Sequence, residues 1–320
     1  EAWHVAVRIL RRARPEAHIV GPSISSFDLG FMRNFLSSAK VNGTVPDMLS
    51  WHWYSFNGSE IPDQVAQVRT LISDLGLQDL IKGISINEIV SGEQNFNPAV
   101  HISYFANLER AAVDNAMHAC WAEPTQGEQC SPNTGGDNCG EWGKLPIPEQ
   151  YKGHGGVTLD GLLTCDGSQL PRGVWWAYKA YASLNGTLLA VNPTTELEAL
   201  AAIADNRRSL AIAVARLAGN SSHNVQVQVA NIPDALAANN SEVPVGVAFI
   251  QDTYVYALPS PNIFTSVASI GANRTIHLDL EMSAGEVAMV FLGPEAYDQT
   301  KMFAKPPLNF TALGTEVMFV

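Results

Sequence analysis

The chain has 320 residues, 46% of them hydrophobic and 16% charged, with a formal net charge of -12. That size and composition describe a globular, core-forming protein of one large or two ordinary domains, not a disordered chain. The acidic balance excludes a nucleic-acid partner, since RILRRAR at 8–14 is the only basic run. No apolar stretch approaches the ~20 residues needed to span a bilayer.

The first predicted element is a helix over WHVAVRIL, with Trp3, Ala6, Val7 and Leu10 on one face. RILRRAR reads as the solvated face of a helix that Pro15 ends. HIVGPSIS (18–25) predicts a strand and LGFMRNFLSSAK the helix after it. DMLSWHWYSF (47–56) predicts a second strand, followed by a helix over IPDQVAQVRTLISDLG. There Ile61, Val65, Val68, Ile72 and Leu75 recur at helical spacing, Pro62 lies in the first turn and Gly76 is the stop. GISINEIV is a third strand and AVHISYFANLERAAVDNAM its helix. HACWAEP (118–124) is the fourth strand, and after a long loop PRGVWWAYKAYASLNG is a last helix closed by Gly186. Strands recurring at βα spacing predict a parallel sheet.

From 187 the texture changes. RSLAIAVARLA, HNVQVQVANI, VGVAFIQDTYVYAL, RTIHLDLEM and GEVAMVFLG are alternating or continuous apolar runs between Asn/Gly/Ser/Pro turns, the pattern of an antiparallel β-sandwich. The expected organisation is an α/β domain over 1–186, a β-sandwich over 187–293, and a tail over 294–320 in which TEVMFV can add a strand. No internal repeat or low-complexity segment is visible.

N-x-S/T acceptors occur at Asn42, Asn57, Asn185, Asn220, Asn239, Asn273 and Asn309, while Pro193 excludes Asn192. That density predicts a secreted, extracellular glycoprotein. Cys120, Cys130, Cys139 and Cys165 fall in a Gly/Pro/Asn-rich region at spacings that fit no zinc pattern, and read as two disulfides stapling long loops. Three pairings are open. Cys130–Cys139 with Cys120–Cys165 is favoured because the shorter loop closes easily. The sequence opens without an initiator Met or a signal peptide, in the middle of a helix, so its start is expected to be a processing product or a truncation.

In βα barrels functional residues sit at the C-terminal ends of the strands. Those ends here are Ser23–Ser26, His52/Trp53/Tyr54, Glu88 and Trp121/Glu123. ISINEI closes a β-branched run on Glu88, and burying an unpaired carboxylate is costly. Glu88 is therefore the candidate catalytic residue, with a helix cap or a partner for a buried Arg as the bland alternative. His52, Trp53, Tyr54, Trp121 and Glu123 are the candidate substrate-binding residues. Aromatic faces cover the apolar faces of sugar rings while polar groups bind the hydroxyls, so this set suits a carbohydrate. GHGG (153–156) follows no strand and opens no helix, and no Gly-x-Ser-x-Gly elbow is present. No cofactor and no metal are expected. VWWAY (174–178) is assigned to core packing, and His4, His101 and His154 receive no role.

IVGPSIS, LSWHWYSF, a strand ending in Glu, a Trp-bearing strand and GLLTCDGSQLPRGVWWAYKAYASLNG, in that order, resemble the second half of a retaining glycoside hydrolase of clan A. The resemblance is greatest to family 39, which contains β-xylosidases, α-L-iduronidases and arabinofuranosidases; family 79, the β-glucuronidase and heparanase group, has a similar layout. It implies a (β/α)8 TIM barrel, of which only strands five to eight are evident in this chain, followed by a small antiparallel β-sandwich. It implies Glu88 as the nucleophile at the end of strand seven. His52 and Tyr54 match the strand-six pair that lines the site and hydrogen-bonds that nucleophile. Matched instead to the fourth strand, INEI would make Glu88 the acid/base; chain order favours strand seven, because one further βα unit precedes the sandwich.

Retaining hydrolysis needs two carboxyl groups about 5–5.5 Å apart. The resemblance places the acid/base after an Asn on strand four, outside this chain. The expected partners are a carbohydrate of plant or matrix type, with the few basic residues tilting toward neutral pentosides, and an N-terminal companion chain or a second copy that completes the barrel. An incomplete sequence is a further explanation of the gap. The competing expectation is a catalytically inactive secreted glycoprotein with a binding or assembly role.

Overall fold

The computed structural model describes residues 1–119, 161–164, 170–219, 223–238, 241–254 and 256–304. They form two compact units, Glu1–Ser91 with Tyr104–Ala119, and Gly92–Ser103 with the described part of Cys120–Val320.

The first unit runs α1 (Ala2–Ala13), β1 (Val20–Ile24), α2 (Leu29–Asn42), β2 (Met48–Trp53), α3 (Ile61–Asp74), β3 (Gly83–Ile89), the second half of α4 (Pro98–Arg110) and β4 (Asn115–His118). The strands pair in parallel in the order β1-β2-β3-β4. Helix α2 starts where the Asp28 carboxylate accepts the Phe31 N–H at 2.8 Å, and ends on Gly43 at φ 60. Met32, Leu36 and Ala39 of α2 and Ile61, Val65, Val68 and Leu71 of α3 are buried with Leu49, Trp51, Ile84 and Ile86 of the strands. Gly21 is required because the Trp3 indole occupies the place of a β-carbon; Trp3 Nε1 donates to Thr44 O at 2.8 Å, fastening α1 to the unit.

Two details differ from the sequence reading of α1. Arg11 leaves the solvated face to pair with Asp47 at 2.6 Å, and the same carboxylate accepts the Ile19 N–H at 2.6 Å. Leu10, expected on the core face, is 47% exposed. Other apolar residues are exposed as well: Val5 and Ile9 of α1, Val20 of β1 at one edge of the sheet and Met117 of β4 at the other are 41% to 59% exposed. Among the described residues β1 and β4 each pair with one neighbour only, so both sides of the sheet are open.

Helix α4 stops earlier, and the fourth strand starts earlier, than the sequence predicts. Ala112 takes a left-handed φ of 48 and Val113 N–H folds back to Leu108 O, ending the helix. The Asp114 carboxylate then accepts the Ile84 N–H at 2.8 Å, which sets 115–118 against β3. Only His118 of the expected HACWAEP strand lies in β4; Trp121, Glu123, the four cysteines, His154 and TEVMFV lie outside the described residues.

The second unit contains the start of α4, then α5 (Gly173–Ala182), β5 (Thr187–Leu188), β6 (Leu197–Ile203), β7 (Leu210–Arg216), β8 (His223–Val229), β9 (Glu242–Ile250), β10 (Asn262–Ser269), β11 (Ile276–Met282), β12 (Val287–Leu292) and α6 (Ala296–Thr300). A six-stranded sheet, β10-β9-β12-β7-β6-β5, packs on a two-stranded sheet, β11-β8; the pairings are antiparallel. Ile212, Val214, Val245, Val290 and Leu292 from the larger sheet share one core with Val225, Ile276, Leu278 and Leu280 from the smaller. On the other face Phe291 meets Phe303, which in turn meets Trp176 of α5; Trp176 Nε1 donates to Leu258 O at 2.6 Å. Strands β6 and β10 were not among those expected. The Leu/Ala/Glu-rich β6 carries no strand propensity of its own, and β10 is a mostly exposed edge without apolar alternation.

Candidate active site

The C-terminal ends of β1, β2 and β3 are where the first unit departs from regular pairing. The β2–β3 register slips between Trp51 and His52, so that His52 lies opposite Glu88. A bulge re-aims the side chains that follow it. Without this one His52 would face Asn87. Register also slips between Pro22 and Ile24 and between Ile86 and Ile89. Ser23 at φ 57 and the β-branched Val90 at φ 67 take left-handed conformations beside these slips. Such backbones persist where the surrounding structure enforces them, and they cluster at functional sites.

Glu88 Oε2 accepts a hydrogen bond from the Tyr54 hydroxyl, and His52 Nδ1 stands 3.2 Å from the same oxygen and 3.3 Å from the Tyr54 hydroxyl. The Glu88 side chain is 42% exposed and His52 is 18% exposed, so the carboxylate is held on one side and open on the other. Among the described residues Glu88 Oε1 has no hydrogen-bond partner. Burial, reinforced by the hydrogen bond and negative charge of Glu88, pushes the Tyr54 phenol well above its ordinary range. Tyr54 therefore remains a proton donor to the carboxylate at any neutral pH.

A fixed frame surrounds the pair. Tyr104 of α4 accepts the Ser55 N–H at 2.8 Å and donates to Ser55 O at 2.9 Å, pinning the turn after Tyr54. Gly58, at φ 73, lets that turn lie on the Tyr104 ring, which a β-carbon would approach to 2.9 Å. Trp51 points away from the site, fully buried, with Nε1 donating to Gln64 Oε1 at 3.0 Å and its ring edge-on to Phe27.

The structure brings Glu88, His52 and Tyr54 together. Trp53 stands beside them on β2, half-buried, with its buried Nε1 unpartnered among the described residues. Three further residues contribute: Ser23, named from the sequence only as a strand end, and Asn87 and Ser50, which were not singled out as site residues. Asn87 Nδ2 donates to Ser23 Oγ at 3.1 Å, and Ser23 bonds Ser50 through both N–H, at 3.1 Å, and Oγ, at 2.9 Å. The Asn87 Oδ1 atom is buried without a partner among the described residues. Only the position of Asn87 next to Glu88 could have signalled it. His4 and His101 are held structurally, by Thr44 and Ser38 and by Asn95 O respectively. No group of three or more His, Cys, Asp or Glu among the described residues could hold a metal ion, and no helix among them is long and apolar enough to cross a membrane.

The fold, unlike the sequence, has counterparts among known proteins. No protein-family model matches the chain. No curated protein matches it either. Solved structures do. N2152 from Neocallimastix frontalis is similar at a TM-score of 0.70 and 22% identity, over 91% of this chain and 64% of that one. The GH39 enzyme from Xanthomonas axonopodis pv. citri gives 0.58 and 14%, over 92% and 63%, and a GH39 β-xylosidase from Caulobacter crescentus 0.54 and 16%, over 92% and 61%. At these identities the likeness establishes the fold. The chain spans less than two thirds of the length of each of these neighbours.

Proposed function

We propose that the chain is the nucleophile-bearing part of a secreted, retaining glycoside hydrolase of the family 39 type, acting on a neutral pentoside. The observation that carries this reading is the Glu88 carboxylate at the end of a parallel strand, gripped at Oε2 by Tyr54 and His52 with Oε1 left open. A nucleophilic carboxylate must offer one oxygen to the anomeric carbon while the other is held still. As Oε1 bonds to that carbon, the bond to the leaving oxygen breaks, and that oxygen takes a proton from an acid supplied by the rest of the barrel. Water then attacks the same carbon, giving its proton back to the deprotonated acid, and the bond to Glu88 breaks to release the carboxylate. Trp53 Nε1 and Asn87 Oδ1 are the two buried polar atoms that a completed site would satisfy.

The rest of the barrel is assigned to an N-terminal companion portion that pairs with β1 and β4. Support comes from the two open edges and from the apolar residues exposed beside them. We read 1–186 as the barrel portion and 187–293 as the sandwich, because the parallel strands precede 119 and the antiparallel ones follow 187. Secretion is consistent with Asn42, Asn185 and Asn273 lying exposed and Asn57 half-buried; Asn220, Asn239 and Asn309 lie outside the described residues.

Glu88→Gln in the native protein tests the reading with two substrates, a 2,4-dinitrophenyl xyloside, whose leaving group needs no proton, and an alkyl xyloside, whose leaving group does. A nucleophile is essential for both, so turnover of each falls by more than about 10³-fold while circular dichroism stays unchanged. A fall in kcat/KM with the alkyl substrate alone would make Glu88 the acid/base instead, since that ratio reports the glycosylation step. Unchanged turnover of both would remove the catalytic reading and favour an inactive assembly role.

A further inference from the structure

The three slips of the first sheet fall at one level, and each inserts a residue at a definite place. Pro22 and Ile24 of β1 pair with Ser50 and Trp51, so Ser23 is the extra residue there. Ile86 and Glu88 of β3 pair with Trp51 and His52, so Asn87 is the extra residue on that side. Toward β4, Ile86 and Ile89 pair with Ala116 and His118, three steps of β3 against two of β4. Strand β2 thus runs between two bulged neighbours, and the residue that each adds toward it is polar.

The two extra residues bond each other. Asn87 Nδ2 donates to Ser23 Oγ at 3.1 Å, although β2 separates β1 from β3. Strands two places apart lie roughly 10 Å from one another, so this side-chain bond crosses the strand between them. Ser50 of β2, fully buried, completes the crossing: its Oγ accepts the Ser23 N–H at 3.1 Å and stands 2.9 Å from Ser23 Oγ. A bulge leaves its extra residue unpaired in the ladder, and Ser50 supplies the lost partner. Among the described residues the Asn87 side chain has no other hydrogen bond, so Ser23 alone holds it.

Two bulges beside one strand give up ladder bonds and place Ser23 at a left-handed φ of 57. What they produce is the placement of Glu88. It follows Asn87 directly, and the insertion of Asn87 is what sets it opposite His52. Tyr54 and His52 hold the carboxylate, whereas the Asn87 amide holds the backbone from which that side chain departs. We propose that Asn87 and Ser23 form a tie across β2 that fixes the bulge presenting Glu88, so that Asn87 is a positioning residue for the nucleophile. The positioning role rests on the nucleophilic role of Glu88 proposed above.

Asn87→Ala, Ser23→Ala and the double variant, made in the native protein, test the tie with a 2,4-dinitrophenyl 2-deoxy-2-fluoro xyloside. At saturation this reagent labels the nucleophile with a first-order rate constant, which does not depend on how much of the protein is folded and which a merely structural role would not move. Each single variant is expected to lower that constant about 10- to 100-fold and to change the affinity for the reagent less than about threefold. The double variant is expected to lose no more than the larger single loss, since all three remove one bond. Asn87→Asp keeps the size of the side chain and can accept from the Ser23 hydroxyl. It is expected to label within about threefold of the wild-type rate, and to lose that rate when Ser23→Ala is added; this pair decides if Asn87→Ala does not fold. Multiplied losses in the double variant, a loss confined to affinity, or lower thermal stability at an unchanged rate would each overturn the tie. Glu88→Gln separates the two claims. No label there, with wild-type labelling of Asn87→Ala, would overturn the tie and leave the nucleophile standing. Label on Glu88→Gln equal to that on the wild type would remove the nucleophile and the positioning role with it.

Discussion

The two units solve burial differently. In the second unit the ladders are regular, with β9–β10 and β6–β7 pairing along their whole lengths without a slip. In the first, all three pairings slip, and they do so at the C-terminal ends of the strands. Regular pairing gives stability and little else. The slips turn side chains out of the alternation, and one of them sets His52 opposite Glu88. A carboxylate, an imidazole and a phenol on one end of a sheet are the product of local irregularity within an otherwise buried frame.

If that contrast is right, damage to the frame of the first unit should not spread. Trp51→Ala removes a fully buried indole and its bond to Gln64, and is expected to cost about 3–5 kcal/mol. Exchange protection should fall for 48–53 and 83–89 and persist for 210–216. Loss of both together would mean that the units share one cooperative fold.

The site itself offers a smaller effect. Tyr54→Phe removes the donor to Glu88 Oε2 without emptying the space, and is expected to lower kcat about 10- to 100-fold with KM little changed. The wild-type phenol, held above its ordinary range, should show no titration of its own across neutral pH. A loss confined to KM would move Tyr54 from holding the nucleophile to binding substrate.

The strand starts sharpen the comparison at the level of about 1–3 kcal/mol. Burial acts to raise the Asp47 carboxyl, but the Ile19 N–H and Arg11 outweigh it and the net shift is downward. A depressed carboxylate contributes stability above its ordinary value near 3.8, and that stability is lost as pH falls through the lower folded value. Asp47→Asn should therefore destabilise the protein near neutrality and flatten the acid limb of a pH–stability curve; an unchanged limb would show that the pair is idle. The smallest effect is expected in β10, where Thr265→Ser on the exposed edge should change stability by less than about 0.5 kcal/mol.

Much of this was legible in the sequence, for identifiable reasons. Strands at βα spacing read as short apolar runs between helical patterns, so HIVGPSIS, DMLSWHWYSF and GISINEIV disclosed β1 to β3 in order. Glu88 drew attention in the sequence because a carboxylate that closes such a run must either be paired or stay open to solvent. Strand slips were not legible, since each depends on contacts between strands distant in sequence. Asn87 was hidden for that reason, its partner Ser23 lying 64 positions away. The end of α4 was missed because a left-handed alanine and a side chain bonding another strand's N–H leave no periodic trace. Leu10 was placed inside because periodicity reports which face is apolar and not what covers it.

The central claim is that Glu88 is a nucleophile, and covalent capture tests it most directly. A 2-deoxy-2-fluoro xyloside with a 2,4-dinitrophenyl leaving group slows release of the glycosyl-enzyme and needs no acid for its formation. Incubated with the native protein and followed by peptide mass spectrometry, it should leave one sugar residue on the peptide containing Glu88 and none in Glu88→Gln. An adduct on another carboxylate, or label on Glu88→Gln equal to that on the wild type, would contradict the assignment.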